Sequence, residues 1–333
     1  MVELWFKYGK TEVFAEVEES LEVLKPVESV VDENKVVEQL RETADSRLDT
    51  VVLDYVYSVE GFDQVVSTSL RALAEAGGDL KVYASFWRYV DSAVEKLLLS
   101  HVNQLLRELN LGGAQLLRNP QSLDPSKTLL LSPAAYWGGE IISASDFCRK
   151  FGLSLRTLSP IVGSGGRVAD VVAGELKDIA EISVEKASAL SIYTPERPAE
   201  ILLVGGPGHP VDSRFSACMY LAGSVLRTEP GKVVVLMLES AEGLGDEWLL
   251  KLLRGEQVDD LLAVKFWDVW KNVAEMHKVV VVTALPATLV SRILNVRHAD
   301  TLDQALLYAR RVKSRESRVL AAPNVSGTCL TGF

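Results

Sequence analysis

The stretch from Ile201 to Leu238 constrains the fold of this chain more than any other. An apolar run at each end of it flanks a glycine–proline turn at Gly205–Pro210 and a helical pattern over about Arg214–Arg227. This order predicts a strand, a turn, a helix and a second, parallel strand, which is a βαβ crossover. Ligands of open α/β sheets sit beyond the carboxyl ends of the strands, so we expect the turn to border a binding site.

Length, charge and hydropathy limit the class of protein. The 333 residues suggest two domains rather than one core. The net charge of −10 argues against nucleic acid and against an anionic membrane surface as partners. No apolar run reaches the roughly 18 residues that span a bilayer. Met1–Trp5 also lacks the features of a signal peptide, so we expect a cytoplasmic location.

The potential metal ligands are dispersed along the chain. The three cysteines form no Cys-x-x-Cys pair, and no two of the four histidines are four positions apart. These spacings indicate neither a disulfide framework nor a zinc site. We therefore predict no bound metal.

Strands and helices alternate in the first half. Apolar strand patterns at Asp49–Tyr57 and Lys81–Trp87 are each followed by an amphipathic helical pattern. This order is typical of a mostly parallel sheet flanked by helices. The break at Thr194–Pro198 is interpreted as a linker. The sequence therefore predicts an α/β protein with two such domains, which comprise residues 1–193 and 199–315.

Three motifs of the second half resemble those of one enzyme family. Gly205-Gly206 with Pro210-Val211-Asp212 resembles a Gly-Gly-x-Pro-Leu-Asp motif, Glu242–Gly245 an Asp-Gly-x-Gly loop, and Thr301–Ala305 a Thr-Leu-Asp-Glu-Ala helix start. The family is that of the nickel-dependent lactate racemases. The resemblance implies a two-domain α/β fold, a nickel pincer cofactor derived from nicotinic acid mononucleotide, and a return of residues 316–333 to the first domain.

The positions that carry the chemistry of this family hold other residue types here. Trp87 occupies the position of a histidine that takes part in the family's reaction, and Tyr57 occupies the position of an arginine. Asp54 and Arg88 are the same residue types as in the family. The lysine that anchors the cofactor matches Ile141 or Val168, and the glutamine and lysine that hold the substrate carboxylate match Ala217 and Tyr220. Racemisation by a hydride shuttle needs a bound hydride acceptor and a proton-moving group. We therefore predict no nickel pincer and no other cofactor.

Two groups of residues are candidates for a site in the interdomain cleft. The ligand-binding candidates are Asp54, Arg88, Gly205, Gly206, His209, Asp212 and Ser213, and the cleft-lining candidates are Tyr57, Trp87 and Tyr220. Arg88 is a candidate clamp for a carboxylate or a member of an ion pair. Asp212 and Ser213 are also interpreted as helix N-cap residues, and His209 as a loop histidine bonded to backbone or water.

The sequence leaves three functions open. The first is a divergent lactate racemase-like protein that binds a small anionic molecule or a protein partner in the cleft; a homo-oligomer is also possible. The second is an active isomerase of a 2-hydroxy acid with a different cofactor arrangement. The third is a structural subunit whose cleft is filled by its own aromatic side chains. The state of the cleft, open and polar or plugged, distinguishes them.

Overall fold

The computed structural model describes residues 2–17, 21–29, 32–43, 48–76 and 80–332. The strands are β1 Val2–Tyr8, β2 Thr11–Val17, β3 Leu21–Val23, β4 Thr50–Asp54, β5 Lys81–Ser85, β6 Gln115–Leu116, β7 Thr128–Leu131, β8 Ala135–Trp137, β9 Glu140–Ile142, β10 Arg156–Gly163, β11 Arg167–Glu175, β12 Ile192–Tyr193, β13 Ile201–Val204, β14 Val233–Met237, β15 Lys278–Val282, β16 Arg297–Ala299, β17 Val319–Ala322 and β18 Cys329–Leu330.

The helices are α1 Glu33–Thr43, α2 Phe62–Glu75, α3 Ser92–Glu108, α4 Ala144–Phe151, α5 Leu176–Ser191, α6 Phe215–Cys218, α7 Glu247–Leu253, α8 Leu261–Met276, α9 Ala287–Arg292 and α10 Leu302–Val312. Within the described ranges, no helix has both the length and the apolar character needed to cross a membrane.

Two six-stranded sheets form the framework. The first has the order β11-β10-β7-β4-β5-β6 and is parallel except for its edge strand β11. The second has the order β16-β15-β14-β13-β17-β3 and is parallel throughout. Strands such as β4, β13 and β14 are buried along their whole length, which explains their unbroken apolar sequences. The predicted α/β class with mostly parallel sheets is confirmed.

Strands from near both ends of the described chain, β3 and β17, join the second sheet. β17 is hydrogen-bonded between β13 and β3, and the short β18 pairs with β12. The strand that was expected to return to the first domain therefore lies in the second sheet. Its residues are buried on both faces, and a strand in that position needs a hydrogen-bonding partner along each edge, which β13 and β3 supply.

The β1–β2 hairpin also packs on the second half. Leu4 and Phe6 share one apolar core with Ile201 and Leu203 of β13. We therefore propose a domain division different from the one the sequence predicts. Residues 2–24 and 199–322 form one domain in this division, and residues 32–191 form the other.

The crossover after β13 is not the amphipathic helix predicted over Arg214–Arg227. The chain forms a 3-10 turn at Val211–Ser213, the single α-turn of α6, and a 3-10 helix at Met219–Val225. All residues from 215 to 225 are buried, so this segment has no solvent-facing side. Gly223 packs so closely on the β8–β9 hairpin that a Cβ atom there would lie 2.3 Å from the Gly139 nitrogen.

Candidate functional site

The site is positioned by the points where the strand order of each sheet reverses. In the first sheet the reversal lies between β4 and β7, and in the second it lies between β13 and β17. The crevice beyond the carboxyl ends of strands at such a point is the usual ligand site of an open α/β sheet. Loops that follow β4 and β10 of the first sheet and β3 and β17 of the second line one common cleft. The two reversal points therefore open toward each other.

A buried ion pair fills the reversal point of the first sheet. Arg88 donates from Nε and Nη2 to the Asp54 carboxylate, and the Nη2–Oδ2 distance is 2.7 Å. Trp87 Nε1 and the Ser132 hydroxyl donate to the same carboxylate over 2.9 and 2.7 Å. Arg88 also donates to the carbonyl oxygens of Pro133 and Ile142. The side chains of Asp54 and Arg88 have no exposed surface, so the guanidinium is engaged within the protein and does not face the cleft.

Aromatic side chains close the centre of the interface between the halves. The rings of Trp137 and Tyr220 stack with centroids 3.8 Å apart, and Tyr89 contacts both rings edge-on. Trp137 Nε1 donates to the Arg88 carbonyl oxygen over 3.3 Å, which ties the stack to the ion pair. Tyr57, a predicted cleft-lining residue, is half-buried, and its N–H donates to the Tyr89 hydroxyl. The predicted cleft is therefore plugged at this point.

The Gly205–Ser213 loop follows β13 at the reversal point of the second sheet, but most of its amides have partners inside the protein. The N–H groups of Gly205, His209, Asp212 and Ser213 donate to the carbonyl oxygens of Ala322, Gly9, Gly208 and Pro210. A Cβ atom at Gly205 would lie 2.3 Å from the Pro323 carbonyl oxygen, and one at Gly206 would lie 2.6 Å from Leu221 Cδ1. These two glycines therefore serve close packing rather than an open anion cradle.

Asp212 and Ser213 do not cap a helix, contrary to the N-cap interpretation. Asp212 Oδ2 accepts the Gly9 N–H over 2.7 Å, and the Ser213 hydroxyl donates to the Pro210 carbonyl oxygen. The physical reason is that both residues lie inside the 3-10 turn Val211–Ser213, and the short helix α6 that follows has Arg214 at its N-cap position.

Four nearly fully buried oxygen atoms near Asp212 have no hydrogen-bond partner within the described ranges. They are Asp212 Oδ1 and the hydroxyl oxygens of Tyr220, Ser240 and Ser326. Burial raises the pKa of Asp212 to about 6, and the nearby Glu239 carboxylate adds to this rise while the Gly9 N–H opposes it. Buried polar groups normally have partners, so these four atoms are an exception to the usual pairing of buried polar groups.

The open part of the cleft has a volume of about 490 Å³, and neither Asp54 nor Arg88 lines it. Lys7 Nζ donates to the Ser58 hydroxyl over 2.8 Å, and Arg167 Nε donates to Glu60 Oε2 over 2.7 Å. Asn324 Nδ2 donates to the Ser58 carbonyl oxygen over 3.2 Å. We call this group the cleft site; it consists of Lys7, Ser58, Glu60, Arg167, Asn324 and the turn glycines Gly165 and Gly166.

The polar residues of the cleft site were not among the predicted site residues. Their one sequence signal is the segment Ser164-Gly165-Gly166-Arg167, which resembles the anchoring motif of the lactate racemases but has Val168 in place of the lysine. Both glycines have positive φ angles, of 79° and 70°, and form the turn of the β10–β11 hairpin. This turn brings Arg167 to the cleft.

Sequence comparison does not match this chain to any protein-family model or to any curated protein. Solved structures do match. The lactate racemase apoprotein from Thermoanaerobacterium thermosaccharolyticum aligns over 99% of this chain and 100% of its own, with a TM-score of 0.63 and 14% identity. The chain has a lactate racemase-like fold. A Thermotoga maritima protein solved as a structural-genomics target aligns over 90% of this chain and 97% of its own, with a TM-score of 0.55 and 10% identity.

The residues present do not fit the nickel pincer that the family resemblance implies. Ile141 and Val168, the two candidates for the anchoring position, have no amine. Trp87, which the resemblance matches to the reacting histidine, donates its indole N–H to Asp54 Oδ1. No three or more His, Cys, Asp or Glu side chains of the described residues are arranged to hold a metal ion.

Replacing Arg88 with methionine tests the buried ion pair. The variant leaves the Asp54 carboxylate buried without its charged partner, so we expect the free energy of unfolding to fall by about 3–5 kcal/mol. Urea unfolding measures this loss. The control is Arg71→Met at an exposed position of α2, for which we expect a change within about 0.5 kcal/mol. A loss for Arg88→Met no larger than that of the control would contradict the structural role of the pair.

Replacing Asp212 with asparagine tests the buried carboxyl. Its pKa in the folded protein, about 6, lies above the ordinary 3.8, so the folded state binds the proton more tightly than the unfolded chain. The stability that the protonated form provides is lost as the pH rises through about 6. We expect Asp212→Asn to raise the free energy of unfolding at about pH 8 by up to about 3 kcal/mol, at about pH 5 by roughly half as much, and by little below about pH 3.5.

Urea unfolding across this pH range measures the effect of Asp212→Asn. Glu242→Gln, at an exposed position of the neighbouring loop, is the control and should leave the pH profile unchanged. If Asp212→Asn showed the same pH profile as the unsubstituted protein, the assignment of a raised pKa to Asp212 would be incorrect.

Proposed function

We propose that this protein is a divergent member of the lactate racemase-like fold that binds a small anionic molecule at the cleft site. The observation that carries the proposal is that Lys7 and Arg167 line one cleft at the carboxyl ends of strands from both sheets. These two residues come from opposite halves of the molecule. A ligand held by both would bridge the halves.

The charges of the cleft site favour an anion. Lys7 and Arg167 supply two positive charges, against the single negative charge of Glu60. Glu60 engages only the Nε of Arg167, and the Nη groups have no partner among the described residues. A planar guanidinium with free Nη donors binds carboxylate or phosphate in bidentate geometry. Lys7 Nζ uses one of its three donors on Ser58, which leaves two for a ligand.

The shape of the cleft site also suits a small molecule. Leu24, Pro26 and Val59 supply an apolar wall beside the polar groups. A volume of about 490 Å³ lies within the range of small-molecule pockets, about 300–1,000 Å³. Because a solved protein of this fold is named a lactate racemase, 2-hydroxy acids are the first ligands to examine.

Isothermal titration with L-lactate, citrate, inorganic phosphate and AMP tests the proposal. We expect at least one of them to bind, and Arg167→Gln and Lys7→Gln each to weaken that binding at least about tenfold, since each removes a charge-assisted contact. Lys10→Gln, exposed on the neighbouring turn and outside the cleft, is the matched control. Binding that survives both cleft substitutions would contradict the proposed site.

A second candidate function is that of a structural subunit. It is favoured by the stacked Trp137 and Tyr220 rings and by the fully buried Asp54 and Arg88, which together fill the centre of the interface. Absence of binding across the whole panel would favour this candidate over the first.

We further propose that the protein carries no covalently attached nickel pincer and has no lactate racemase activity. Ile141, Val168 and Trp87 support this proposal because none of them can supply an amine or a titrating imidazole. We expect intact-mass and elemental analysis of protein co-produced with the pincer-making enzymes to give the bare polypeptide mass. An adduct of cofactor mass with stoichiometric nickel would overturn this proposal.

A further inference from the structure

A second cavity between the two halves lies at the carboxyl ends of β5 and β6 and has a volume of about 320 Å³. Four aromatic side chains contribute to its walls, beside polar and charged ones. We call it the aromatic pocket and define it by the lining residues Phe86, Trp87, Glu95, Arg118, Phe151 and Trp248. It shares no lining residue with the cleft site.

The two indole rings of the aromatic pocket are held in fixed orientations. Trp87 Nε1 donates to Asp54 Oδ1 over 2.9 Å, and Trp248 Nε1 donates to the Val90 carbonyl oxygen over 2.7 Å. Since the only polar atom of each indole is already bonded, what the two rings can offer a ligand is apolar surface. The Lys150 ammonium lies 5.4 Å from the centroid of the Trp87 ring, so this ring already contacts one cation.

Most charged groups around the aromatic pocket have partners. Asp91 accepts the Ser216 hydroxyl over 2.5 Å and lies 3.5 Å from the Arg214 guanidinium. Asp246 accepts the Ser92 N–H over 2.8 Å. Asp260 forms an ion pair with Lys150 over 3.1 Å.

Glu95 and Arg118 are the exceptions. Within the described part of the chain, neither side chain forms a hydrogen bond or an ion pair. Glu95 is half-buried, and burial raises the pKa of its carboxyl while the nearby Arg118 guanidinium opposes the rise. The pocket therefore holds one carboxylate and one guanidinium that are close enough to interact electrostatically but are not paired with each other.

From this arrangement we propose that the aromatic pocket binds a zwitterion with an apolar side chain, of the amino acid class. The ligand ammonium pairs with Glu95, the ligand carboxylate pairs with Arg118, and the apolar side chain contacts Trp87, Trp248 and Phe151. A ligand with both charges satisfies both unpaired groups at once, whereas a ligand with one charge leaves the other group unpaired. This site is independent of the anion proposed for the cleft site.

Three probes of similar shape test the two charges of the proposed ligand separately. L-Phenylalanine carries both, 2-phenylethylamine lacks the carboxylate, and 3-phenylpropanoate lacks the ammonium. Isothermal titrations are made with full-length protein that carries Lys7→Gln and Arg167→Gln, so that no anion binds at the cleft site. We expect L-phenylalanine to bind at least about fivefold more tightly than either single-charge probe, an advantage equal to one partly exposed ion pair.

Charge-removing variants assign each contact. Glu95→Gln should weaken the binding of L-phenylalanine and 2-phenylethylamine at least about fivefold and leave that of 3-phenylpropanoate within about twofold. Arg118→Gln should weaken the binding of L-phenylalanine and 3-phenylpropanoate at least about fivefold and leave that of 2-phenylethylamine within about twofold. Glu108→Gln, exposed near the end of the same helix α3, is the matched control and should change none of the three affinities. Undetectable L-phenylalanine binding, or an equal effect of Glu95→Gln on the amine and the acid probe, would overturn the proposal.

Discussion

The ion pair between Asp54 and Arg88 is the interaction on which the arrangement of the first half depends. A charge without exposed surface must keep its partners, because solvent cannot replace them. The guanidinium contacts the end of β4, the loop after β7 and the end of β9. These contacts of the guanidinium therefore fix the positions of the three segments relative to one another. The Arg88 carbonyl oxygen in turn accepts the indole N–H of Trp137, which brings that ring to Tyr220 of the other half.

Sequence patterns predicted the sheets well and the interface poorly. Strands β13, β14 and β15 are buried on both faces, so their continuous apolar sequences reveal them directly. The crossover after β13 was predicted as an amphipathic helix because its small polar residues resemble a solvent face. In the structure that face contacts the β8–β9 hairpin. This contact joins segments that are distant in the sequence, so the hydrophobic periodicity of a short stretch cannot reveal it. Lys7 and Arg167 were not predicted for the same reason, since they become neighbours only through the fold.

The structure separates what the shared fold preserves from what it does not. The overall fold is similar to that of the lactate racemase apoprotein over almost the whole chain. The centre between them holds a charge pair and stacked rings in this protein. Polar groups with unused donors and acceptors lie on either side of that centre, at the cleft site and in the aromatic pocket. A scaffold of this kind places loops at a common edge, and the residues on those loops decide the chemistry.

The position of β3 beside β17 has a mechanical consequence. The chain enters the first half after β3 and leaves it before β13, so in the domain division proposed above two connections rather than one join this half to the other. The connections touch, since Glu22 accepts hydrogen bonds from the Tyr193 hydroxyl and the Glu196 N–H, and Lys25 pairs with Glu196. Two connecting segments that are bound to each other resist twisting of one half against the other more than a single connection does. Contacts such as the Tyr136 hydroxyl on the Gly223 carbonyl oxygen and the ion pair of Lys150 with Asp260 join the halves elsewhere as well, so this seam is one of several places that hold them together.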